Sequence, residues 1–145
     1  MLVIDVDVEP VADLGAFPLG DRRIVTFAGG TFRGRDGLAG TIAPGGVDWQ
    51  VVRPDGVLEI DAHYLLLTDA EEPIEVRSVG LRKASTEVAA RIAAGDAVDP
   101  SEYYFRTHVR LSTSAPRLAW LNDLLAVATG ARRRDAVRID VHEVL

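Results

Sequence analysis

Leu2, Ile4, Val6 and Val8 alternate with Asp5, Asp7 and Glu9 at the start of the chain. That period of two is the spacing of a strand with one buried and one polar face. The same reading predicts β structure over residues 22–32, interrupted by Gly29-Gly30, and from the Gly37-Leu38-Ala39-Gly40 segment to a break at Pro44-Gly45-Gly46. A short strand follows over 49–52, closed by the turn signal Pro54-Asp55-Gly56. Residues 57–67 form the longest strand-like run. After a second break at 68–73, further strands are expected over 74–79, 103–113, 120–128 and 136–144. Residues 129–135 read as a hairpin with a charged tip, its Arg132, Arg133 and Arg134 solvated. One helix is predicted, over residues 83–94. Ser85 is its N-cap, Glu87 lies in its first turn, Arg91 near its end, and Gly95 terminates it. Val88, Ile92 and the alanines form its apolar stripe.

Short strands with turns at regular spacing, and no βαβ alternation, indicate a mainly β chain forming a sandwich or a barrel. Several of the 13 glycines fall inside strands rather than between them. In-strand glycines mark bends, bulges and close backbone approaches, which favours a barrel. The expectation is a single antiparallel β-barrel of about eight or nine strands spanning residues 1–145, with one short helix. At 145 residues, 48% of them hydrophobic and 26% charged, the chain is one domain's worth and can bury a core.

Charge and residue usage exclude several classes. A net charge of −6 argues against nucleic-acid binding, which needs a basic field against phosphates. With no cysteine there is no disulfide framework, thiol nucleophile or thiolate metal site. The acidic first residues do not read as a signal peptide, and no apolar run approaches the roughly 18–20 residues that span a bilayer. The expected location is therefore cytoplasmic, with no membrane partner. Three histidines are too few and too scattered to define a metal site, and no cofactor is implied. No Gly-x-Ser-x-Gly elbow occurs, and Gly29-Gly30 lacks the Lys-Ser or Lys-Thr of a phosphate loop.

Six segments occur in order: Gly20-Asp21-Arg22-Arg23; Gly29-Gly30-Thr31-Phe32 with Gly34; Pro44-Gly45-Gly46-Val47-Asp48-Trp49 with Asp55-Gly56; Asp61-Ala62-His63-Tyr64; Tyr104-Phe105-Arg106-Thr107; and Trp120-Leu121-Asn122. Together they resemble the domain-of-unknown-function 3237 family of bacterial and fungal proteins, from about Gly20 to the C-terminus. The resemblance implies a lipocalin-like barrel similar to that of allene oxide cyclase, with an interior cavity. The family pattern usually carries Arg where this chain has His63, a departure that bears on ligand or chemistry.

Alternation places Glu59, Asp61 and His63 on one face of their strand, and Tyr104, Arg106 and His108 on one face of theirs. Either these polar faces are solvated exteriors, with the apolar faces forming the core, or they line a cavity while the apolar faces are covered from outside. The presence of Asp61 and Arg106 in the family motif supports the second arrangement. In it, Arg106 orients an anionic or enolate oxygen, Asp61 and His63 handle a proton, and Tyr104 donates to a developing oxyanion. Asp48, Trp49, Trp120 and Asn122 would supply further ligand contacts. The function so implied is a cofactor-free cyclase, isomerase or lyase acting by proton transfer on a small carbonyl compound. The alternative is a non-catalytic carrier for a small hydrophobic acid. A homo-oligomer is expected if the lone helix leaves apolar outer faces uncovered.

Overall fold

The computed structural model describes residues 1–145. Ten strands form: β1 (Leu2–Val8), β2 (Ala12–Phe17), β3 (Gly20–Gly34), β4 (Ala39–Ile42), β5 (Val47–Val52), β6 (Leu58–Thr68), β7 (Pro73–Lys83), β8 (Tyr104–Thr113), β9 (Ala126–Arg132) and β10 (Ala136–Glu143). One helix, α1 (Thr86–Ala93), lies between β7 and β8. All strand pairings are antiparallel, and β1 bonds to β10 on one side and β3 on the other, which closes the sheet. The result is a closed eight-stranded barrel with two extra strands. β4 and β5 lie end to end in one place between β3 and β6, and β2 folds back along the start of β3. No helix is long and apolar enough to cross a membrane.

Side-chain parity decides which face is inside. Leu58, Ile60, Ala62, Tyr64 and Leu66 of β6 are buried, whereas Glu59, His63 and Leu65 are exposed. In β8, Phe105, Thr107, Val109 and Leu111 are buried between the exposed Tyr104, Arg106, His108 and Arg110. Inward Leu2, Ile4 and Val6 of β1, Ile74 and Val76 of β7, and Ile139 and Val141 of β10 complete the core. Full burial of each large aliphatic side chain contributes about 1.5–3 kcal/mol. The opposite parity would expose that set and bury Glu59 and Arg110 instead, so the apolar faces turn inward.

At Gly29-Gly30 the backbone of β3 takes φ values of 154° and 132°, which side chains disfavour. A Cβ at Gly30 would also run into the Asp5 carbonyl of β1, so the bend that carries β3 from β5 to β4 requires glycine there.

The predicted helix is present but shorter. The Ser85 hydroxyl accepts the Val88 N–H at 3.1 Å, and Gly95, at φ 81°, ends the helix as expected. The strand expected over 120–128 is a correction. Pro116–Asp123 are 3-10 turns, and β9 begins only at Ala126. Pro116 enters that segment without a backbone N–H to offer a ladder. Asn122 then holds it against β8, accepting the Thr113 N–H at 2.7 Å and donating to the Thr113 carbonyl at 3.1 Å. Two further differences extend the β content. β7 runs on to Lys83 through Gly80, and β2 forms a wholly exposed ribbon strand.

Candidate functional site

The polar residues expected to line the cavity stand outside it. Asp61 is on the outer wall, with a side chain 45% exposed and paired to Arg77 at 3.1 Å. His63, beside it on the same face, has Nε2 3.4 Å from Glu75. Tyr104 is exposed, and Arg106 packs over its ring at 5.1 Å while donating to the Phe105 carbonyl. Asp61 and His63 thus share a charged strip with β7, and Arg106 is not their partner. Trp49 is also exposed on the outer face. Trp120 sits in the 3-10 segment beneath the Arg35 guanidinium, 4.1 Å from its ring centroid, and Asn122 is committed to Thr113. The assignment of these residues to an interior pocket is therefore corrected: parity puts the odd-numbered positions of β6 and the even-numbered positions of β8 on the exterior, Trp49 takes the outward parity of β5, and Trp120 and Asn122 lie outside the strands altogether. Among the residues expected at the site, Asp48 alone turns inward.

Asp48 owes its place to a gap in a ladder. β5 and β6 pair at Val47–His63 and Asp48–Ala62, and again at Val51–Glu59, but not across Trp49–Gln50. The Asp61 N–H left without a strand partner donates instead to Asp48 Oδ1 at 3.0 Å. Gln50, two residues on and so on the same inner face, donates from Nε2 to Asp48 Oδ2 at 2.7 Å. Its Oε1 accepts from Arg23 Nε at 2.6 Å. A hydrogen-bonded line thus runs from Arg23 at the barrel's open end to a carboxyl group on its inner wall.

A cavity of about 40 Å³ lies against that carboxyl, lined by Phe27, Ile60, Tyr64 and Phe105 among other apolar groups, with Ser78 and Thr107. Ser78 donates to the Thr107 hydroxyl at 2.8 Å across β7 and β8. The Tyr64 ring meets Phe27 edge-on at 4.9 Å. The cavity shares Val25, Gln50, Leu58, Arg82 and Arg132 with a wider vestibule of about 580 Å³, walled on one side by Ile92 and Ala93 of α1.

Burial dominates the electrostatics. It pushes the Asp48 carboxyl above its ordinary value, against the lowering effect of Gln50, the Asp61 N–H and the Arg23 charge. Burial, and then the Asp48 charge, raise the Tyr64 phenol, which holds its proton throughout the physiological range. Burial pulls Arg82 down to about 10, and the nearby Arg23 and Arg132 charges act in the same direction. Arg23 and Arg132 are lowered by burial as well.

Arg23, Gln50, Tyr64, Ser78, Arg82, Thr107 and Arg132 are therefore site-lining residues that the sequence did not disclose. A signal was present in parity. Arg82 continues the inward series Ile74, Val76, Ser78 and Gly80, and Arg132 continues Ala126, Ala128 and Gly130. Arg132 is not part of a solvated tip. Its backbone N–H donates to the Tyr103 hydroxyl at 2.9 Å, and the turn proper begins at Arg133.

These features define a class: small closed antiparallel barrels with a largely apolar cavity, an inward carboxyl group and a cationic mouth. The chain belongs to the family described as "Protein of unknown function (DUF3237)", which it matches over residues 1–144. It is 38% identical over 135 residues to a UPF0311 protein of Rhodopseudomonas palustris, covering 93% of this chain and 88% of that one. A crystal structure of a conserved protein of unknown function from R. palustris superposes with a TM-score of 0.95 at 36% identity, over 99% of this chain and 94% of the other. A β-barrel-like protein from Acinetobacter baumannii gives 0.84 at 39% identity, over 99% and 92%. An enzyme from Penicillium herquei shares the fold, with a TM-score of 0.69 at 19% identity, over 98% and 91%.

Proposed function

We propose that this barrel is a small-molecule enzyme of the cofactor-free cyclase, isomerase or lyase kind, moving a proton on a small carbonyl compound. The observation that carries the reading is Asp48: a carboxyl group only 7% exposed, on the wall of a mostly apolar cavity, with a hydrogen-bond donor fixed on each oxygen. Its proton affinity is raised by burial, which moves a carboxylate toward the range where it both accepts and returns a proton near neutrality. Tyr64 stays protonated and faces the same space, so it supplies a donor for an oxygen that gains charge as the proton leaves carbon. A fold neighbour named as an enzyme is consistent with chemistry on this scaffold.

The mostly apolar lining also suits the second reading, a non-catalytic carrier of a small hydrophobic acid. Solvent exchange separates the two. A panel of small carbonyl acids is incubated with the protein in D₂O, and deuterium incorporation next to the carbonyl is followed by proton NMR. Protein-dependent exchange that falls by about 10²–10⁴-fold in Asp48→Asn supports the enzyme. Binding of panel members with no exchange, or exchange unchanged in Asp48→Asn, overturns it in favour of the carrier.

A further inference from the structure

The arginines of this chain divide into two groups. Those on the outer surface are largely paired: Arg33, Arg35, Arg53, Arg77, Arg91, Arg117 and Arg138 each have a carboxylate within 4.0 Å. The three turned toward the interior, Arg23, Arg82 and Arg132, are partly buried, and none makes an ion pair with a carboxylate. This inverts the usual arrangement, in which buried charges are the paired ones. All three lie at the same end of the barrel, where β3, β7 and β9 carry them into the vestibule. Arg23 spends Nε on Gln50. Arg132 has Nη1 buried with no hydrogen-bond partner. Arg82 lies close enough to both others that their charges depress its proton affinity, and Arg23 does the same to Arg132.

Repulsion between like charges, desolvation and an unused buried donor are all relieved together by one kind of occupant, an oxyanion. Two oxygens on a plane suit the forked donors of guanidinium. Beyond the arginines the wall is mostly apolar, with Gln50, Ser78 and Thr107 as its uncharged polar groups before Asp48, which suits a hydrocarbon body attached to that oxyanion.

We infer that Arg23, Arg82 and Arg132 form a binding site for the carboxylate of a small organic acid whose apolar body points into the barrel toward Asp48. This deepens the functional reading above and rests on it only for the chemistry at Asp48. The site fixes polarity: the acid group stays at the mouth, and the reacting carbon goes inside.

The test uses the full chain and the straight-chain carboxylates acetate, butyrate, hexanoate and octanoate, each against its neutral primary amide, with inorganic phosphate as a further probe. Binding is read by calorimetry and by shift of the melting temperature. The expected result is carboxylate binding that tightens roughly fourfold for each added methylene until the cavity is filled. The amides bind at least tenfold more weakly. Arg82→Gln and Arg132→Gln each lose about 10–100-fold, the range for a charge-assisted hydrogen bond, while retaining a native circular-dichroism spectrum. Arg106→Gln, on the outer wall, binds like the parent. Equal binding of acids and amides, tighter binding of phosphate than of any carboxylate, or an equal loss in Arg106→Gln overturns the inference. Loss of exchange in Asp48→Asn with carboxylate binding intact bears on the reaction alone. Exchange that persists without carboxylate binding removes this site and leaves the reaction standing.

Discussion

Replacing Arg82 with methionine is expected to stabilise the ligand-free barrel. Methionine keeps the unbranched stem that packs along the wall and removes the guanidinium. The fall of Arg82 to about 10, well below the ordinary guanidinium value, means that the folded site disfavours its charge relative to the unfolded chain. At about 1.36 kcal/mol per pKa unit the shift amounts to ~3 kcal/mol. Water reaches the head group through the vestibule, so the effective cost is nearer 1–2 kcal/mol, as an order of magnitude. A base held low in the folded state destabilises folding while it is charged in both states. That deficit shrinks only as pH climbs from about 10 toward the unfolded value. At neutral pH it is fully present, and the variant is freed of it. A gain of this size raises the melting temperature by roughly 3–6 °C for a chain of this length. Calorimetric scans at low ionic strength measure it, and 1 M salt should narrow the gap by screening the repulsion at the mouth. An Arg82→Met protein that is less stable than the parent by more than ~1 kcal/mol would refute the reasoning. The guanidinium would then be a net stabiliser of the empty barrel, and the mouth would carry no uncompensated charge.

Asp48→Asn should show a pH-dependent difference from the parent. Because burial raises the Asp48 carboxyl, its contribution favours folding below the unfolded value of about 4 and is lost as pH rises through the folded value. The variant's relative stability in urea should therefore grow as pH rises above about 4, and a flat difference would contradict the assignment. Gly130→Ala would set a Cβ 2.5 Å from two atoms of the buried Phe105 ring. A loss of about 1–3 kcal/mol in urea unfolding is expected, partly recovered in the double variant with Phe105→Leu. Asn122→Ala removes both bonds to Thr113 and should cost about 1–2 kcal/mol by the same measurement. Asp61→Asn breaks an exposed pair with Arg77, so its stability should move by less than about 1 kcal/mol, and its substrate exchange should stay far above that of Asp48→Asn.

The barrel was legible because alternation is a backbone property: Leu58 to Leu66 and Phe105 to Leu111 announced their faces without any knowledge of neighbours. Which face was interior needed one further step, a comparison of how many large aliphatic side chains each parity would bury. The motif positions Asp61 and Arg106 pulled the other way, although both belong to the exterior. The inward arginines were hidden for a different reason. Arg132 adjoins Arg133 and Arg134, and a charged triplet at a hairpin reads as solvent-facing until the end of β9 is known to the residue. Arg82 lies beyond residue 79, the predicted end of its strand, whereas β7 runs to Lys83. Asp48 was identified as a ligand contact, but its partner Gln50 was not. The gap in the β5–β6 ladder that positions both leaves no trace in residue type.

Gln50 has no freedom to turn its amide over. Its oxygen must face Arg23 and its nitrogen must face Asp48, because a flip would set donor against donor at one end and acceptor against acceptor at the other. The side chain therefore acts as a fixed coupler between the mouth and the wall. An anion that draws Arg23 away loosens Gln50, weakens its donation to Asp48, and makes that carboxyl hold its proton more tightly. By reciprocity, the protonation state of Asp48 sets the affinity of the mouth for the anion by the same factor. With the carboxylate site inferred above, arrival of the acid at the rim and readiness of the proton at the wall would be one thermodynamic event, transmitted through a single amide.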